Sequence, residues 1–275
     1  MDITFSPAGL PGLALLAGAS ALAGAVNSVA GGGTILTFPV LAAILPPDPG
    51  RMVIANATST IGLWPASAVA AWAYRGERTD QPGWVKWLIL PSVVGAVLGT
   101  LLVLWLPPEW FAAAVPWLIL SAAILFRVQP QIARFAGASM HARPPAPSAT
   151  RLLPACLLQL LVAIYGGYFG AGIGILMLAV LGLLGLGDIH RLNGVKNVLA
   201  TAVNGAAAAL FAAGSLGGRH DVSWPCVAVM AAGSIAGGLA GSAVARRLPA
   251  AAVRRAVAVI GFALAAYYLW RHSLG

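Results

Sequence analysis

Charge is what this sequence has least of. Of its 275 residues only 8% are Asp, Glu, Lys or Arg, against about a quarter in an ordinary soluble domain. Too few charges are available to solvate one face of every element, so a water-soluble globule is excluded. Acids are scarcest. The seven are Asp2, Asp48, Glu77, Asp80, Glu109, Asp188 and Asp221, each placed at a terminus or loop by the apolar pattern around it. Asp48 and Asp188 fall at nearly matching helix ends and are candidate gates. The membrane-embedded carboxylate that a proton-coupled carrier usually needs is missing.

Cysteine is confined to Cys156 and Cys226, each inside an apolar run far from other metal-type ligands. That excludes a disulfide framework and a zinc site and predicts two buried thiols. His141 and His272 are expected in polar segments and His190 and His220 in loops. No nucleophile-and-base pair, carboxylate pair or metal cluster accompanies them, so neither an enzyme nor a cofactor is expected.

What remains is apolar. Hydrophobic residues make up 60% of the chain, in uncharged runs of about 20 residues that repeat along it, the length a membrane-spanning helix needs. A membrane barrel would alternate apolar and polar residues in strands of about ten, and no such alternation occurs. The net charge of +9 comes from basic residues scattered between apolar runs, a topology signal rather than a nucleic-acid stripe. The N-terminus, MDITFSPAGLPG, is acidic where a secretory signal is basic, and no polar cleavage region follows its apolar run. It is expected to be a first membrane segment.

The predicted fold is therefore an all-α polytopic membrane protein of ten segments, roughly 8–26, 34–47, 52–74, 84–106, 110–127, 152–169, 173–187, 192–214, 222–245 and 253–270. A polar, Pro-rich, basic stretch, 128–151, links a first membrane repeat at 1–127 to a second at 152–275. Sliding the sequence by 141 positions superimposes Ala30 on Ala171, Gly31 on Gly172, Gly33 on Gly174, Asn56 on Asn197 and Thr60 on Thr201. Five segments per half is an odd number, so the second copy enters from the opposite face and the repeats are inverted.

Charge tests this independently. With the N-terminus placed in the periplasm and the linker in the cytoplasm, 13 of the 16 basic residues fall inside; Arg51, Arg219 and Arg271 are the exceptions. That is the asymmetry expected of cytoplasmic loops. A hairpin that re-enters, in place of two spans, would give the same count.

The second segment of each half is too short to cross. Thr34 to about Leu45 spans about 18 Å of helix and Ile173 to Gly187 about 22 Å, against a hydrocarbon core of about 30 Å. Each follows glycine, AGGGT at 30–34 and GAGIG at 170–174. Interrupted helices at matching positions in two halves point to a transporter's binding site. A helix start exposes unpaired N–H groups carrying about half a positive charge, so it accepts an anion without a buried Lys or Arg. The competing reading is that these glycines only allow close helix packing.

The third segments add side chains that should face a wet interior. Candidate substrate-binding residues are Asn27, Gly31, Gly32, Gly33 and Thr34; Asn56, Thr58 and Ser59; Tyr168, Gly170, Gly172 and Gly174; and Asn193, Lys196, Asn197 and Asn204. Lys196 stands about one turn inside its helix, where snorkelling to the surface is the competing reading. Trp64-Pro65 is expected to kink the third segment. Tyr165 and Tyr168 are read as cavity lining or interfacial belt.

At these residues the chain resembles the TauE/SafE-type sulfite and organosulfonate exporters over nearly its whole length. The likeness rests on NSVAGGGTILTFP at 27–39, ANATSTIGLWPAS at 55–67, GYFGAGIGIL at 167–176, LNGVKNVLA at 192–200 and RRLP at 246–249. It implies two related halves and export of sulfite, sulfoacetate or related sulfonates from the bacterial cytoplasm. The second motif departs from a symmetric pattern at Ile173, which stands where the first has Gly32, so a less intimate contact is expected there. The expected setting is the bacterial inner membrane and the expected partners are a small anion and the lipid bilayer, with a homodimer as the assembly to look for and no nucleic acid. An anion channel is the nearer rival, an intramembrane enzyme the more distant one.

Overall fold

The computed structural model describes residues 9–29, 32–73, 83–138, 149–183, 189–217, 222–244 and 250–273, and no strand occurs among them. The helices are α1 (Gly9–Val29), α2 (Thr34–Ile44), α3 (Arg51–Ala73), α4 (Ile89–Trp105), α5 (Pro108–Ala138), α6 (Ala149–Tyr168), α7 (Ile173–Leu183), α8 (Ile189–Leu216), α9 (Trp224–Val244) and α10 (Ala250–Ser273), with a 3-10 segment, Gly83–Leu88, leading into α4. Five of them, α1, α4, α5, α8 and α9, are long and apolar enough to cross a membrane. Leu10, Leu90, Trp105, Leu153 and Leu161 are all more than half exposed, an arrangement suited to lipid rather than water. The protein is an all-α polytopic membrane protein.

The short helices are as short as expected. α2 and α7 hold 11 residues each, about 16 Å of rise. Elsewhere three expectations change. α5 continues to Ala138 through the stretch read as linker, despite Pro130. Phe126 and Gln129 are buried and Ile132 packs against the core, so tertiary contacts along one face outweigh the proline and the polar composition. α8 begins at Ile189, which places His190 in a helical first turn rather than a loop. Of the two cysteines Cys226 is buried, but Cys156 is only partly so, because it faces an apolar groove between α4 and α6.

Several glycines let helices touch backbone to backbone. A side chain on Gly24 or Gly237 would strike the facing helix across the α1–α9 contact, and one on Gly95, Gly99 or Gly167 would do the same between α4 and α6. Small residues serve this purpose in membranes, where no hydrophobic force drives helices together.

The packings come in pairs. Advancing each helix by five places turns α1–α9 into α6–α4, α3–α9 into α8–α4 and α5–α7 into α10–α2, while α3–α8 and α5–α10 map onto themselves; every one of these contacts is present. α3 and α8 pack against each other, with the short helix α2 beside α3 and α7 beside α8.

Candidate substrate cavity

Both helix breaks depend on glycine. Gly32, Gly170 and Gly172 have φ of 96°, 80° and 77°, the left-handed region that other residues enter only with strain. The two breaks meet: a Cβ on Gly32 would collide with the Gly172 amide nitrogen. The amide of Gly32 is not free, since it donates to Asn27 Oδ1 at 2.9 Å. At the start of α2 the cap residue, Gly33, has no side chain to offer. The Gly33 position is also steric, because a Cβ there would lie 2.5 Å from the Ala23 carbonyl oxygen.

A narrow cavity opens between the breaks and the central helices. Its walls are Asn27, Gly32 and Thr34; Thr60, Leu63, Ser67 and Ala70 of α3; Gly166, Phe169, Gly170, Ile173 and Gly174; and Lys196, Asn197, Ala200 and Asn204 of α8. There is room between them for about one or two waters. Helical spacing explains who faces inward, since positions i, i+3, i+7 and i+10 from Thr60 share one face of α3.

Ser67 is the hub of the polar wall. Its Oγ accepts from Asn27 Nδ2 and from Asn204 Nδ2, each at 3.0 Å, and its carbonyl accepts from Thr201 Oγ1 at 2.8 Å. Lys196 is 1% exposed and so does not snorkel. Its Nζ has no hydrogen-bond partner among the described residues, and neither has Asn197 Nδ2. The remaining unpartnered buried side-chain groups are acceptors, those of Asn56, Gln129, Gln159 and Asn193, and none of these residues is on the cavity wall. The unmet donors converge on the cavity; the unmet acceptors do not.

Of the residues singled out in the sequence, the cavity brings together Asn27, Gly32, Thr34, Gly170, Gly174, Lys196, Asn197 and Asn204. Gly31 lies outside the described residues, as do Asp188 and most of the other acids. Asn56 instead donates to the Tyr168 carbonyl at 3.0 Å, Thr58 Oγ1 accepts from the Ser223 amide at 3.2 Å, and Ser59 shares a 2.7 Å hydrogen bond with Thr37. Tyr168 packs on Phe111 with ring centroids 5.3 Å apart, and Tyr165 donates to the Ala171 carbonyl at 2.6 Å. Asn193, Gly33 and Gly172 do not line the space. Thr60, singled out in the sequence through the repeat, is on the wall, whereas Ser67, Gly166 and Phe169 were missed, although the helical periodicity from Thr60 points to Ser67. Phe169 closes one wall and leads into a cluster with Phe38, at 5.4 Å, and Phe111, at 6.4 Å.

The apolar helices and the side chains they expose define a multi-pass helical membrane protein, with a cavity between its central helices. Residues 16–268 match the family model described as sulfite exporter TauE/SafE. The chain belongs to the TauE/SafE family of membrane transporters. It is similar to a probable membrane transporter protein, ORF9, of Sinorhizobium, with 32% identity over 182 residues, 64% of this chain and 63% of that one, so under two thirds of that relative's length is covered. It is also similar to a probable membrane transporter protein of Haemophilus influenzae, 26% identical over 94% of each chain. No solved structure matches.

Proposed function

We propose that this transporter exports a small oxyanion, with sulfite, an organosulfonate or a sulfur-containing carboxylate as the class of cargo, and that the anion binds in the cavity between two inverted halves. The observation that carries this is Lys196, a fully buried ammonium with no protein partner on the cavity wall, beside the free amide of Asn197. An unpaired buried charge costs several kcal/mol, and an anion is the ligand that relieves it. The helix starts after the two glycine breaks add positive potential at the same place.

The paired helix packings favour two related halves, and the 13-to-3 split of basic residues favours a periplasmic N-terminus and a cytoplasmic 128–151 segment in the inner membrane. Asp48 and Glu109, the described acids, are both exposed, and none lines the cavity. The membrane potential is then the simplest driving force. It favours outward movement of a monoanion by about 2.3 kcal/mol per 100 mV, a concentration ratio of roughly fifty. A cavity this narrow favours a carrier over an open channel. Proteoliposomes loaded with sulfite, sulfonates or carboxylates test both points. Saturable efflux that grows with an imposed potential is expected; flux of none of these anions, or flux indifferent to the potential, would overturn the corresponding part.

A further inference from the structure

The hydrogen bonds around Ser67 constrain which anions the cavity can hold. A hydroxyl oxygen has two acceptor positions and one proton. Both acceptor positions of Ser67 are filled, by Asn27 Nδ2 and Asn204 Nδ2 at 3.0 Å each. The direction of the first bond is fixed, because Asn27 Oδ1 is itself occupied by the amide of Gly32, which can only donate. The Ser67 proton has no acceptor among the described residues. Other helical hydroxyls here give theirs to the preceding turn, as Ser20, Ser92 and Thr60 do. With Asn204 donating as well, Ser67 is left as a donor on the cavity wall, in company with Lys196 Nζ and Asn197 Nδ2, which are donors without partners among the described residues.

We infer that the cavity selects oxyanions that carry no proton of their own, and that Ser67, held as a donor by Asn27 and Asn204, is the residue that enforces the selection. This rests on the anion-binding role proposed above. A ligand whose acidic O–H lies against Ser67 would meet a hydroxyl that cannot accept its proton, leaving two donors facing each other at that point of the wall. A site built this way discriminates more sharply than one relying on size.

The test compares anions of matched shape and charge that differ by one proton. Methanesulfonate and singly protonated methylphosphonate form one pair in mildly acidic buffer; nitrate and hydrogencarbonate form another. Saturable uptake of each by the full chain in proteoliposomes should favour the proton-free member of both pairs by about tenfold or more. In Asn204→Ala one acceptor position of Ser67 is freed, and the preference should fall to within about threefold. Ser67→Ala should lower it as well, chiefly by weakening the proton-free anion. A merely structural role would reduce both members of a pair together and leave the ratio unchanged, and that result overturns the inference. Equal uptake of both members by the wild-type chain overturns it while leaving anion transport intact. Uptake of no anion overturns the underlying reading too.

Discussion

Replacing Lys196 by Met keeps the length and shape of the side chain and removes its charge. Lys196 is 1% exposed and its ammonium has no partner among the described residues, so none of those residues offsets its desolvation. Substitutions that replace buried ionic groups by apolar ones of similar volume are neutral or stabilising by about 1–4 kcal/mol. For a chain of this size each kcal/mol moves the melting temperature by about 2–4 °C, so Lys196→Met should melt at the wild-type temperature or several degrees above it. Activity should move the opposite way. A cation and an anion about 4 Å apart interact by about 4 kcal/mol at an effective dielectric constant of 20. After the anion's own desolvation a net loss of about 2–3 kcal/mol corresponds to a fall of about 30- to 150-fold in efflux at limiting substrate. Thermal melting in detergent and proteoliposome efflux read the two quantities on the same preparation. A variant that melts lower and transports normally would show that Lys196 supports the fold and not the cargo.

Gly32→Ala should be more damaging than Gly172→Ala: both positions have left-handed φ, but the Gly32 Cβ would strike the Gly172 backbone while that of Gly172 meets nothing nearer than Leu125 at 3.4 Å, so losses of about 3 and 1–2 kcal/mol are expected in melting measurements. Among packing glycines, Gly24→Leu should abolish folded yield through the α1–α9 contact, whereas Gly18→Leu, with nothing within 4 Å of its Cβ, should be neutral by size-exclusion profile. Phe169→Ala removes the wall joining the cavity to the Phe38 and Phe111 rings and should raise passive anion leak several-fold without raising coupled efflux, with a destabilisation of about 3–5 kcal/mol.

Most of the architecture was legible because membrane solvent simplifies the pattern. Ten apolar runs became ten helices, and the two breaks followed from glycine beside runs too short to cross. What misled was local chemistry that tertiary packing outweighed: Pro130 and its polar neighbours read as a linker, yet Phe126, Gln129 and Ile132 bury one face of the same helix. The polar residues of α3 split by face. Asn56, Thr58 and Ser59 hold other backbone and side-chain groups, and a single sequence does not show which polar residue in a helix serves a neighbour and which serves a ligand. Lys196 was ambiguous for the same reason, since depth within the bundle, not position along the helix, separates a buried ammonium from a snorkelling one.

The sorting of unmet groups leads to one further expectation, about stability. Folding normally pairs buried donors with acceptors, and a group left unpaired costs about 1–3 kcal/mol, more if charged. Among the described residues Lys196 Nζ and Asn197 Nδ2 are donors without a protein partner, and both residues line one cavity beside Ser67, so an anion bound there should stabilise the fold. A ligand that binds only the folded form stabilises it by about 2.7 kcal/mol at a hundred times its dissociation constant, or several degrees in melting temperature. Sodium methanesulfonate should therefore raise the melting temperature of the wild type above that in sodium gluconate of equal ionic strength, since gluconate is far larger and would need a much wider opening of the cavity. The increment should disappear in Lys196→Met, whose baseline is not lowered. General salt effects would shift both proteins and both salts alike, and a buried pair is screened far less than a surface one. An equal shift in the variant would mean that the stabilising anion binds elsewhere, and that the unpaired donors are met by the protein's own movement rather than by cargo.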